Sequence, residues 1–149
     1  MLSLPVTLSR RLIRTIGVLM SVFHLYVAFV GPPDAYVMRG SHLAFALALA
    51  FLVLPGCNGR SERVGWLDVL LLLAALAGAL YPSMNLSYIQ NRMYYVDDPL
   101  FLDYVFGGAL IVLIMEATRR ATGWALPITA MIFLAYGVTQ GNQPVSMML

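Results

Sequence analysis

The chain has 149 residues, of which 60% are hydrophobic and only 11% are charged, whereas a soluble domain is about 25% charged. So apolar a composition excludes an ordinary soluble domain and an intrinsically disordered chain. The formal net charge of +2 comes from scattered arginines with no lysine, a pattern that excludes a nucleic-acid-binding surface. The sequence therefore predicts an all-α integral membrane protein.

Five apolar stretches along the chain are candidate membrane spans, because roughly 20 apolar residues cross the hydrocarbon core as a helix. The predicted spans lie near 15–31, 40–56, 66–82, 99–121 and 124–140, within a single membrane domain covering 1–149. We expect the fourth helix to have Asp98 as its N-cap and Pro99 at its first position, and to end at Gly123. The fifth begins at Trp124, which suits the interfacial aromatic belt.

The arginines predict the orientation of the chain, because basic residues are retained on the cytoplasmic side. With the N-terminus inside, seven of the nine arginines are cytoplasmic and only Arg39 and Arg92 lie outside. The segment 82–98 then lies outside and is rich in tyrosine. Two interpretations remain open for it: an interfacial segment on the outer leaflet, or a docking surface for an extracytoplasmic partner.

The sequence contains few residues that could bind a metal or carry out redox chemistry. A single cysteine, Cys57, forms no internal disulfide, and with two histidines and no HExxH or CxxC motif the sequence predicts no metal site. His24 lies near the middle of the first span, where it is either a proton-relay group or a neutral imidazole hydrogen-bonded across helices. His42, close to Arg39 at the outer start of the second span, is interpreted as interfacial.

A carboxylate near the end of the fourth span has two arginines on its own helical face. Arg119 and Arg120 follow Glu116 at i+3 and i+4, the spacing of intrahelical ion pairs. Catalysis would need a nucleophile, a second acid or a metal beside Glu116, and the sequence offers none, so we predict no catalytic residue and no enzyme activity.

Transport sites are built on helices interrupted by Gly, Ser, Thr, Asn or Pro clusters, and the predicted spans contain no such hairpin. Gly107-Gly108 in the fourth span is interpreted as a point of close helix packing. We therefore expect a membrane scaffold that assembles with an active component.

Several segments match a known family in order and spacing. They are Phe23–Tyr26, Arg39–Leu47, Phe51–Pro55, Glu116–Ile128 and Phe133–Gly137. Over roughly residues 20–137 they resemble the N-terminal membrane region of fused permeases of tripartite ATP-independent periplasmic (TRAP) transporters, of the type that works with TAXI solute-binding proteins. The stretch EATRRATGWALPI is the most specific part of the resemblance.

The resemblance implies a secondary transporter of the bacterial inner membrane. In this family a periplasmic TAXI-type binding protein captures an organic solute, typically a carboxylate, and an ion gradient, usually of sodium, drives import. The matched region corresponds to the small scaffold portion, which braces a large membrane transport subunit holding the solute and sodium sites. We therefore expect this chain to bind no cofactor, and the sequence identifies none of its residues as substrate-binding. The structural or interface candidates are Arg39, His42, Glu116, Arg119, Arg120 and Trp124.

Two alternatives remain. The first is an autonomous small homodimeric transporter, a class that needs a carboxylate in mid-span, which no predicted span contains. The second is a truncated or split permease fragment, because the family continues beyond the position of Tyr136 into a transport domain.

Overall fold

A computed structural model describes residues 5–56, 64–93 and 96–140. Its regular elements are six α-helices: α1 (Val6–Val30), α2 (Ala35–Val53), α3 (Trp66–Met84), α4 (Leu86–Asn91), α5 (Phe101–Thr122) and α6 (Ala125–Gln140). The predicted all-α architecture is confirmed. Cys57 lies outside the described residues, as do Arg60 and Arg63, two of the arginines expected to be cytoplasmic. Tyr94 and Tyr95 of the tyrosine-rich segment 82–98 lie outside them as well.

Four of these helices, α1, α2, α3 and α5, are long and apolar enough to cross a membrane. The chain is thus a multi-pass α-helical membrane protein. Helix α6 has a shorter apolar stretch, Ala125–Gly137, and its 16 residues rise about 24 Å, less than the roughly 30 Å hydrocarbon core. A full crossing by α6 stays a prediction.

The long helices run up and down, and three of them form the core. Helices α2, α3 and α5 pack together through a cluster of buried side chains: Leu47 and Phe51 from α2, Ala75 from α3, and Leu113 and Ala117 from α5. Helix α1 packs mainly against α2, and α6 against α5. Most large apolar side chains of α1 and α6 are exposed, and these faces suit contact with lipid.

Small residues allow α2 and α3 to approach closely. Gly40, Ala44 and Ala48 are buried at four-residue spacing on α2, and Ala75 and Ala79 repeat that spacing on α3. Such small-xxx-small stripes bring helix backbones together in membranes. A Cβ atom on Gly40 would lie 2.5 Å from the backbone oxygen of Ala79.

The expected close packing at Gly107-Gly108 is wrong for Gly108. A Cβ on Gly108 would meet no atom within 4 Å. The tight contact forms at Gly40 instead, because α2 and α3 face each other along small residues whereas α5 meets its neighbours through leucines such as Leu110 and Leu113.

The predicted start of the fourth span is also wrong, although its end is confirmed. The N-cap is Leu100, not Asp98. The Asp103 carboxylate accepts a hydrogen bond from the Leu100 backbone N–H at 3.0 Å, so the helix begins where this side chain reaches back. Helix α5 ends as expected at Gly123, whose φ of 81° lies in a region that glycine tolerates best.

The two ends of the bundle carry different polar side chains. The arginine end contains the first turns of α1 and α3 and the last turns of α2 and α5. The tyrosine end contains the α1–α2 connection, α4 and the first turn of α5. Polar contacts between helices at both ends fix this arrangement.

Candidate functional site

Four charged side chains meet at the arginine end, and we call this group the arginine clasp: Asp68 of α3 and Glu116, Arg119 and Arg120 of α5. Two carboxylates balance two guanidinium groups, so the cluster has no net formal charge. The predicted pairing within α5 is confirmed. Glu116 accepts from Arg119 through both oxygens, at 2.7 and 2.8 Å, and from Arg120 Nε at 2.7 Å.

Arg120 joins three helices. Its Nη1 donates to the Asp68 carboxylate at 2.7 Å and to the Leu54 carbonyl oxygen, just past the end of α2, at 3.1 Å. Its guanidinium carbon lies 5.1 Å from the centre of the Phe51 ring, a distance at which cation–π attraction operates. One side chain therefore ties the end of α2, the start of α3 and the end of α5.

Asp68 is the most deeply buried member of the clasp, with a side chain only 2% exposed against 8% for Arg120. Its oxygens also accept from the backbone N–H groups of Gly56, at 3.1 Å, and Gly65, at 3.0 Å. A buried carboxylate is tolerated only when it is paired and hydrogen-bonded. Asp68 meets that requirement through Arg120 and two backbone donors.

The clasp continues into the turn between α5 and α6. Arg119 lies with its guanidinium carbon 5.4 Å from the centre of the Trp124 ring. Only Gly123 and Trp124 separate the two helices, and the positive φ of Gly123 reverses the chain there. The candidate residues of the EATRRATGWALPI stretch are thus used to fix a helix end and a tight turn.

A second polar cluster lies at the tyrosine end around Asp103. The hydroxyl groups of Tyr81 and Tyr88 donate to its two carboxylate oxygens at 2.8 and 2.9 Å, and Arg92 Nη1 lies 3.7 Å away. The Tyr81 ring stacks on Phe106 with centroids 4.6 Å apart. This Asp103 cluster joins α3, α4 and α5.

The tyrosine-rich segment therefore folds back onto the helices. Tyr88 and Arg92 contact Asp103. Gln90 donates to the Asp34 carboxylate at 2.6 Å. Asp34 also caps α2, because it accepts from the Tyr36 backbone N–H at 2.8 Å. The hydroxyls of Tyr81 and Tyr88 serve internal hydrogen bonds. The interfacial and the docking interpretations of the segment both stay predictions.

The two histidines meet between α1 and α2. His24 Nε2 lies 3.0 Å from His42 Nδ1, and His24 Nδ1 lies 2.7 Å from the Met20 carbonyl oxygen. The predicted hydrogen bond from His24 across helices is confirmed, with His42 as its partner. Arg39, expected to cluster with His42, is exposed, and within the described part of the chain it forms no ion pair.

The sequence did not indicate the partners that make both clusters inter-helical. In the sequence, Asp68 and Asp103 are only charges near the starts of the predicted spans 66–82 and 99–121. A usable signal existed for each, because both lie at the third position of a helix, where a carboxylate can bond the N-cap N–H. Which distant groups they meet depends on helix packing and has no local signal.

Within residues 5–56, 64–93 and 96–140, no group of three or more His, Cys, Asp or Glu side chains could hold a metal ion. The charged clusters join helices. No protein-family model, curated protein or solved structure matches the chain. Its function is therefore inferred from the geometry of the two clusters and of the helices that they join.

Proposed function

We propose that this chain is the scaffold, or small permease component, of a TRAP-type secondary transporter in the bacterial inner membrane. It works with a large membrane transport subunit and a periplasmic TAXI-type solute-binding protein to import organic solutes, carboxylates foremost. Solute and sodium bind in the partner, and this chain catalyses no reaction.

One observation carries the proposal: the residues of the family-like stretch are used to make a rigid frame. Glu116, Arg119 and Arg120 close the arginine clasp, and Gly123 and Trp124 shape the α5–α6 turn. A frame that braces a moving partner needs fixed helices, and α2, α3 and α5 are joined by polar contacts at one end and α3, α4 and α5 at the other.

The buried core cluster of α2, α3 and α5 supports the same proposal. Its buried residues in α2, α3 and α5 are alanines, leucines and a phenylalanine. Transport sites instead use freed backbone groups or ionisable side chains near the midplane, and this core cluster contains neither. The break between α3 and α4, at Asn85, lies at the tyrosine end rather than in mid-span.

The test is purification of the tagged full chain from its native membrane in mild detergent, with mass spectrometry of the proteins that co-purify. The proposal expects a large polytopic membrane protein at near-equal stoichiometry, and sodium-dependent solute uptake when this complex is reconstituted with its binding protein. A chain that purifies alone contradicts the proposal and favours the fragment alternative. A chain that purifies only as a dimer and transports by itself favours the autonomous transporter.

A matched pair of variants tests whether the clasp matters for assembly. Arg119→Ala with Arg120→Ala removes two positive charges and the clasp, whereas Arg11→Ala with Arg14→Ala removes two exposed positive charges at the same end of the bundle. We expect the first variant to lose the complex and the second to keep it. Equal loss in both would mean that these arginines act only through membrane orientation, and normal complex levels in the first would refute the role of the clasp.

A further inference from the structure

The histidine pair has no part in the scaffold role, yet it links the outermost helix to the core. His24 lies on α1 and His42 on α2, with ring centroids 5.1 Å apart and the ring planes nearly perpendicular at 83°. The neighbouring Phe23 and Phe45 rings extend the same contact, with centroids 5.9 Å apart. Helix α1 packs mainly on α2, and this contact is part of that packing.

The hydrogen bonds define the tautomers of the neutral pair. A carbonyl oxygen only accepts, so the 2.7 Å contact with Met20 requires a proton on His24 Nδ1. In a neutral ring, His24 Nε2 is then an acceptor. The 3.0 Å contact therefore requires His42 Nδ1 to donate, which leaves His42 Nε2 without a proton.

From this arrangement we infer that His24 and His42 together form a binding site for one proton. A proton from water binds His42 Nε2, and the proton on His42 Nδ1 passes to His24 Nε2 along the existing hydrogen bond. His24 is then the imidazolium, donating to both Met20 and His42, and His42 is neutral again. The contact between α1 and α2 survives because the roles of donor and acceptor simply exchange.

A second proton cannot be accommodated in the same geometry. With both rings charged, His24 Nε2 and His42 Nδ1 each carry hydrogen and no lone pair lies between them. Two like charges would also face each other across 3.0 Å. A second protonation therefore breaks this hydrogen bond between α1 and α2.

Among the residues that the structure describes, no carboxylate forms an ion pair with either histidine. Titratable and charged side chains on the elements packed around the pair are Arg10, Arg11, Arg14 and Tyr26 on α1, Arg39 and Tyr36 on α2, Asp34 between them, Asp68 and Tyr81 on α3, and Asp103, Tyr104, Glu116, Arg119 and Arg120 on α5. The clasp engages Asp68, Glu116, Arg119 and Arg120, and the Asp103 cluster engages Asp103 and Tyr81. Arg39, one turn from His42 on α2, is the charged residue nearest to the pair along that helix.

An apolar cavity of about 340 Å³ lies between α1, α2 and α3. Phe23 and Ser41, each next in sequence to one of the histidines, line this cavity together with Leu76 and Leu80 of α3. Loss of the histidine hydrogen bond would remove a polar contact between the two helices, α1 and α2, that form part of the cavity wall. The second protonation, unlike the first, would therefore disturb the packing of α1 on α2.

The chain contains two histidines, so ring ¹⁵N labelling of histidine reports on this pair alone if the affinity tag contains no histidine. We would record spectra of the full chain in lipid nanodiscs, in metal-free buffer, from alkaline to acidic pH. At alkaline pH both Nδ1 atoms should carry hydrogen and both Nε2 atoms should not. Consider a pH at which the single remaining histidine of the His24→Gln variant, and likewise that of the His42→Gln variant, is an imidazolium. At that pH the wild-type pair should contain one imidazolium and one neutral ring rather than two imidazolium rings.

Two results would overturn the inference. One is an Nε2–H tautomer for either ring in the neutral wild-type chain, a measurement that needs no variant and so stands even if a variant misfolds. The other is uptake of two protons by the wild-type pair at the pH where each single-histidine variant takes up one.

Discussion

The buried ion pair between Asp68 and Arg120 allows the sharpest test of the fold. Arg120→Gln removes the only cation bonded to Asp68 among the described residues and leaves a carboxylate that is 2% exposed without a counter-charge. Loss of one partner of a buried pair costs about 3–5 kcal/mol, so we expect the free energy of unfolding to fall by about that amount. The hydrogen bond to the Leu54 carbonyl oxygen is lost as well.

The neighbouring arginine provides a matched control. Arg119→Gln makes the same chemical change one residue earlier on the same helix, but Arg119 is a third exposed and Glu116 keeps its bond from Arg120. We expect a much smaller loss of stability. Asp68→Asn should also be milder than Arg120→Gln, because Arg120 retains Glu116 and an amide oxygen can still accept from Gly56 or Gly65.

The measurement is reversible unfolding in mixed micelles of a mild detergent and sodium dodecyl sulfate, followed by circular dichroism. Asp68→Asn combined with Arg120→Gln should recover part of the loss, since no buried charge is then unpaired. Equal losses for the two arginine variants, or a double variant no more stable than Arg120→Gln, would refute the assignment of Arg120 as the residue that joins the three helices.

The same unfolding assay checks two further predictions. Gly40→Ala should lower the free energy of unfolding by about 1–3 kcal/mol, as overpacking does, because its Cβ would lie 2.5 Å from the Ala79 backbone oxygen. The control is Gly108→Ala, whose Cβ would meet nothing within 4 Å. It should leave the free energy of unfolding unchanged or raise it by up to about 1 kcal/mol. Similar losses for both glycines would contradict the close α2–α3 contact. Tyr81→Phe should lower the free energy of unfolding by about 1.5–3 kcal/mol, the range for a hydrogen bond to a charged group, because the Tyr81 hydroxyl donates to Asp103. An equal loss for Tyr104→Phe would show that this hydrogen bond is not the cause.

Much of the fold is visible in the sequence because membrane helices are local structures. Their backbone hydrogen bonds are satisfied within each segment, so apolar length alone indicates the long helices, and Gly123 marks the end of α5 in the sequence as it does in the structure. The bonds from Glu116 to Arg119 and Arg120 are equally local, since i+3 and i+4 neighbours share a helical face.

Only the tertiary structure decided which distant groups meet. Asp68 and Arg120 are 52 residues apart, and Gln90 and Asp34 are 56 apart, distances at which no periodicity in the sequence carries information. The N-cap of α5 is Leu100 rather than the predicted Asp98 for the same reason. Asp103, which bonds the Leu100 N–H, is held in place by tyrosines from α3 and α4. Composition and helical periodicity thus determined that the chain forms membrane helices, whereas the packing of small residues between α2 and α3 determined which polar side chains could reach one another at the two ends of the bundle.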